Sequence, residues 1–150
     1  MMTEKMLLIV VSKILIPLIL LFALYVQFHG DFGPGGGFQA GVIFAVAFIL
    51  YALIFGIRTA RRVIPSAVTR TMLALGVLIY GGTGVATMLM GGEYLDYNVL
   101  ADTVLVGQHI GIFTVEFGVG LTVASAMITI FYTFSGHVNT ELPFRKGDKP

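Results

Sequence analysis

Long runs of apolar residues at about 6–28, 39–57, 71–90 and 107–134 alternate along this chain with short polar or glycine-rich stretches. Crossing a hydrocarbon core of ~30 Å takes about 20 helical residues, and each run meets that length. The pattern predicts an all-α integral membrane protein with four transmembrane helices. The fourth run, at about 28 residues or ~42 Å of helix, must tilt, kink or project beyond the bilayer. Residues 135–150 are polar and contain proline, which predicts a flexible or docking tail and no second domain. Lys5 ahead of the first run suggests a signal peptide. That run, however, is too long for one, carries Lys13, and ends in Gln27-Phe28-His29 where a small-residue cleavage site would stand, so it is expected to stay as a helix.

Charge placement orients the spans. All nine Lys and Arg residues lie at the N-terminus (Lys5, Lys13), between the second and third runs (Arg58, Arg61, Arg62, Arg70) or in the tail (Arg145, Lys146, Lys149). The other two loops, residues 29–38 and 91–106, carry Asp31, Glu93, Asp96 and Asp102. The positive-inside bias therefore places both termini in the cytoplasm, which requires an even number of spans. Tyr25, Phe28, Phe32, Phe38, Tyr94 and Tyr97 form the predicted outer aromatic belt, and Tyr51, Phe55, Tyr132 and Phe134 the inner one.

Composition agrees with a bilayer as solvent: 57% of residues are hydrophobic, 11% are charged, and the mean hydropathy is +0.93. A net charge of +1 argues against a nucleic-acid partner. Without cysteine the chain cannot hold a disulfide, a thiolate zinc site or an iron–sulfur cluster through its own ligands. His29, His109 and His137 lack metal-site spacing, so neither a metal nor a cofactor is expected. No internal repeat is visible, and four helices with few polar groups form a thin container for an ion path, which favours a subunit over a self-sufficient transporter.

Residues 29–41, His29-Gly30-Asp31-Phe32-Gly33-Pro34-Gly35-Gly36-Gly37-Phe38-Gln39-Ala40-Gly41, are the most unusual stretch. A formal G-x-G-x-x-A match follows a membrane helix where a dinucleotide fingerprint needs a strand, so it is spurious. Consecutive glycines permit a sharp turn and close backbone approach. Pro34 through Phe38 are expected to be buried against the bundle or a partner, with Phe38 inserted among apolar side chains as an anchor. This stretch resembles the motif H-G-H-x-S-P-G-G-G-F-x-x-G of the B subunit of Mrp-type multisubunit cation/proton antiporters, the MrpB/MnhB family, departing from it at Asp31, Gly33 and Ala40. The later Glu116-Phe117-Gly118-Val119-Gly120-Leu121-Thr122-Val123 is similar to the family's last-helix run E-x-G-V-G-x-T-V.

The resemblance implies a multi-pass subunit of the prokaryotic plasma membrane. Its expected partners are large antiporter-like and small subunits, its transported ions Na+ and H+, and its physiological setting pH homeostasis. A B-like subunit in the membrane arm of an energy-converting hydrogenase is the alternative complex, and a purely structural subunit the alternative role. An enzymatic role has no support, since no nucleophile, metal cluster or cofactor motif is present.

Several polar groups fall inside the predicted spans. Glu116, about nine residues or ~14 Å from Gly107, is placed near the middle of the fourth span. An intramembrane carboxyl group there can exchange a proton, coordinate a sodium ion, or fasten the helix to a neighbour. His109 shares its helical face and is either a relay member or an interfacial histidine. Lys13 either snorkels to the cytoplasmic surface or pairs with an acidic group, Glu116 included, across a depth gap of ~6 Å for upright helices. Gly76, Tyr80, Thr83 and Thr87 make a small, hydroxyl-bearing stripe that serves packing or a polar path, with Gly81-Gly82-Thr83-Gly84 a predicted weak point in the helix. Gly107 and Gly111 repeat the small-xxx-small spacing of close helix contacts.

Overall fold

Lipid offers no partner to an unpaired backbone group, so a chain this apolar must close its hydrogen bonds within helices. The computed structural model describes the backbone of residues 2–30 and 35–141, with side chains over 6–30 and 35–135. The side chains of Lys5 and His137, all of Asp31 to Pro34, and residues 142–150 lie outside the described residues. The described chain forms helices α1 (Met2–Phe28), α2 (Gly37–Phe55), α3 (Ile57–Val63), α4 (Ser66–Leu89) and α5 (Val104–Glu141), with a 3-10 turn over Tyr97–Leu100. Four stretches are long and apolar enough to span a membrane: Met6–Phe28, Gly37–Phe55, Ser66–Leu89 and Val104–Ser135.

Local chemistry sets the ends. Gly56, at φ 88°, turns the chain between α2 and the arginine-bearing α3, and Pro65 precedes the first residue of α4. Helix α5 continues to Glu141, so Ser135–Glu141, expected to be part of a flexible tail, are helical. The first strong helix breaker downstream is Pro143. The predicted weak point at Gly81–Gly84 is not one, because α4 runs unbroken through it. In lipid no water competes for its backbone bonds, and the Gly84 face is covered by the Tyr94 ring.

Between lipid-solvated helices there is no hydrophobic driving force, and small residues decide where backbones meet. α5 lies at the centre, packed most extensively on α4 and then on α2, while α1 rests mainly on α2 and only lightly on α5. Gly41 of α2 faces the Gly120 carbonyl, a Cβ there falling 2.6 Å from it. Gly76 of α4 faces Gly118 across the second crossing, a Cβ falling 2.7 Å from the Gly118 carbonyl oxygen. The buried positions of α2 are all Gly or Ala, whereas Leu7, Leu18, Leu21 and Phe22 of α1 point outward to lipid or a partner.

The loop after α4 is fastened to both central helices. The Thr87 hydroxyl, fully buried, donates toward the Gly84 and Glu93 carbonyls and accepts from the Leu95 N–H at 3.0 Å. Leu95 is thereby held at φ 64°, a conformation that costs most residues about 1–2 kcal/mol. Tyr94 covers Gly84, and Tyr97 covers Gly107 and Gly111, so the small-xxx-small pair of α5 receives a loop and not a helix. Burial, with Tyr80 and Tyr94 adding, raises the Tyr97 phenol above its ordinary 10.0 and keeps the seat neutral. Cysteines placed at the exposed Glu93 and at Thr140 test orientation: a membrane-impermeant thiol reagent outside intact cells should label the first and spare the second. Labelling at Thr140 alone would invert the topology.

Candidate functional site

Glu116 projects from α5 into a notch made of backbone. A Cβ added to Gly30, just past the end of α1, would lie 2.6 Å from Glu116 Oε2, and one added to Gly36 would lie 3.1 Å from Oε1. At Gly37, the first residue of α2, it would collide with the Glu116 carbonyl oxygen and sit 2.7 Å from the carbonyl carbon. Gly35 in turn packs on the Val26 carbonyl, 3.2 Å from where its Cβ would be. The glycines are needed because the carboxyl group and its backbone occupy the space that side chains at 30, 36 and 37 would take.

Two helix ends meet there with opposite polarity. The last carbonyls of α1 carry partial negative charge and favour a cation, while the first N–H groups of α2 favour an anion such as a carboxylate. Non-helical backbone at this depth is tolerated where it is buried in protein or lines a wet cavity. Ala40 closes the first turn of α2 onto the Gly36 carbonyl at 3.0 Å, which holds the notch in shape.

Gln27 is the residue that sequence reasoning missed. Its side chain is 8% exposed, and its Nε2 is buried without a hydrogen-bond partner among the described residues. Its Oε1 approaches Gly120, one helical turn from Glu116 on the same face of α5, 2.5 Å from where a Cβ would stand. An unsatisfied buried amide costs about 1–3 kcal/mol. An amide near the end of an otherwise apolar span was the available signal; it was used only to reject a cleavage site.

The other candidates stand apart. Glu116 is level with the end of α1 and the start of α2. Lys13 is exposed and separated from Gly30 by about 25 Å of α1, so the expected pairing with Glu116 is not formed. The apolar runs do not begin at a common level, because the first turns of α5 are embedded in the loop after α4. His109 is exposed, and the positions on the shared face between it and Glu116 are Ile112 and Phe113, the latter stacked on Phe28 at 5.8 Å. His29 is exposed and stacked on Tyr25 at 5.0 Å. Phe38 is 63% exposed on the outside of α2 and does not insert into the bundle, because the first turn of α2 turns Gly37 inward. On α4, Thr83 bonds the Ile79 carbonyl at 2.8 Å and Thr87 holds the loop after α4, so these two hydroxyls serve local structure, while Tyr80 is exposed. No group of three or more metal-ligating side chains occurs among the described residues.

Residues 7–129 match the family model described as a domain related to the MnhB subunit of Na+/H+ antiporter. A putative antiporter subunit mnhB2 of Staphylococcus epidermidis is 34% identical over 129 residues, covering 84% of this chain and 91% of the relative. The protein of the same description from Staphylococcus aureus strain Newman is 32% identical over the same shares. The matched region contains the glycine-rich turn, Gln27 and Glu116.

Proposed function

Because this chain belongs to the family of domains related to the MnhB subunit of Na+/H+ antiporters, we propose that it serves its complex through the Glu116 notch, at the outer end of the bundle. The chain is an MnhB-like subunit of a Na+/H+ antiporter complex, a component of a transporter in the bacterial plasma membrane, and the hydrogenase alternative is disfavoured. The carrying observation is a carboxyl group set among glycine backbone, one turn of α5 from Gly120, where a buried Gln27 amide packs without a partner for its Nε2 among the described residues. Helix-end carbonyls, a carboxylate and an amide oxygen make an oxygen-rich place where a monovalent cation and a proton can exchange. Helix α1, whose apolar face is largely uncovered, and Phe38 beside the notch are the surfaces offered to neighbouring subunits.

Glu116→Gln separates this role from a structural one, since it keeps shape and hydrogen bonding and removes titration. The assembled variant complex should exchange cations for protons at the background rate of vesicles lacking the complex, and Glu116→Asp should retain measurable exchange with a displaced pH profile. Wild-type exchange by Glu116→Gln would leave the notch a packing device.

A further inference from the structure

About 18–20 Å along α5 from Glu116, near the start of α4, two cavities adjoin. The larger, of about 400 Å³, lies between α1, α2, α4 and α5 and is lined mainly by apolar side chains such as Phe44, Met72, Leu121 and Ile128, with Gln27, Thr69 and Ser125 as its polar members. Its lining on α5 extends from Phe117 to Ile128, ~16 Å of helix. The smaller, of about 270 Å³, is lined by Arg61, Arg70, Ser66, Thr129, Tyr132 and Thr133. Thr69 lines both, so an apolar slot and a mouth of guanidinium and hydroxyl groups lie side by side.

The mouth is built and positively charged. Arg61 donates to the Tyr132 carbonyl at 2.7 Å and lies over that ring at 5.3 Å, and the Tyr132 hydroxyl donates to the Ile64 carbonyl at 3.2 Å. Arg70 donates its Nε–H to the Ser66 carbonyl at 3.3 Å. A guanidinium carries five N–H donors, so both retain donors for an anion. Residues 56–70 hold Arg58, Arg61, Arg62 and Arg70 and no carboxylate, so nothing in this segment offsets the charge.

We propose that the two cavities form one binding site for an anionic phospholipid, with the phosphate at Arg61 and Arg70 and an acyl chain in the slot. A single hydrocarbon chain is thin and matches the apolar part of the lining, stopping short of the Gln27 amide at the Glu116 end of the slot. Basic pockets between membrane helices bind lipid headgroups by this charge complementarity. Bound there, the lipid ties the start of α4 to α5, where Arg61 and Tyr132 already join α3 and the following Ile64 to α5.

The test is lipid binding by the full-length chain in neutral detergent, counted by native mass spectrometry during titration with phosphatidylglycerol, phosphatidylcholine or glycerol 3-phosphate. Phosphatidylglycerol should bind at least about fivefold more tightly than phosphatidylcholine, and Arg70→Gln should remove about fivefold, the share of one interfacial cation. Filling the slot with Ala124→Phe should abolish phosphatidylglycerol binding with both arginines in place. Equal binding of the two lipids, or unchanged affinity in Arg70→Gln, overturns the proposal. Displacement of phosphatidylglycerol by an equal concentration of glycerol 3-phosphate would reduce the site to a free-phosphate pocket and overturn it equally. Should Ala124→Phe lose its helical circular dichroism, Arg70→Gln decides alone, since Arg70 is exposed and its bond lies within its own helical turn.

Discussion

Gly37→Ala should prevent assembly of the antiporter complex, with the variant chain failing to co-purify with its partner subunits. A Cβ at this position collides with the Glu116 carbonyl oxygen and lies 3.0 Å from the Glu116 Cα, so the obstacle is the backbone of the central helix, not a movable side chain. Overpacking against backbone costs at least about 3 kcal/mol when nothing can rotate aside, a large fraction of a stability of 5–15 kcal/mol. Neighbouring glycines grade the effect. At Gly36 the nearest atom to a new Cβ is the carboxyl oxygen Oε1 at 3.1 Å, and φ is 155°, so Gly36→Ala should assemble poorly or assemble with a displaced Glu116 and reduced exchange. At Gly81, inside α4 with no atom within 4 Å, Ala should stabilise by about 0.5–1 kcal/mol through helix propensity. Normal assembly and exchange by Gly37→Ala would show that the turn does not press on α5 as described.

The importance of the turn was legible in the sequence, because three glycines beside Pro34 exceed what a solvated reversal needs. Its partner was not. Glu116 meets Gly30, Gly36 and Gly37 only once α5 packs on α2, and nothing local to either segment encodes that contact. The spans were legible because hydropathy over about 20 residues is a strong signal. Depth was not, since counting from the end of an apolar run ignores how far a helix projects above its neighbours. Gln27 escaped for a similar reason, because whether an amide at a helix end meets water or protein depends on its neighbours. Of the two places expected for Phe38, among the side chains of the bundle or against a partner, helical phase removes the first by placing it on the outside of α2.

Gly76→Leu should separate the two most extensively packed helices and leave a chain that inserts but loses its thermal transition in detergent. The crossing of α4 and α5 is reciprocal: a Cβ on Gly76 falls 2.7 Å from both the Gly118 carbonyl oxygen and the Thr122 nitrogen, and one on Gly118 falls 2.9 Å from the Gly76 carbonyl oxygen. Both helices approach at backbone contact, the arrangement that drives association where lipid is as apolar as leucine. The Thr122 hydroxyl also crowds this point, but it is turned onto the Gly118 carbonyl at 2.8 Å. Removing it with Thr122→Ala should therefore recover only a minor part of the stability lost in Gly76→Ala, because the opposing carbonyl and amide remain. Gly82→Leu, which faces open space on the same helix, should be tolerated. Full rescue of Gly76→Ala by Thr122→Ala would show that a side chain, not the backbone, limits the approach of α4 to α5.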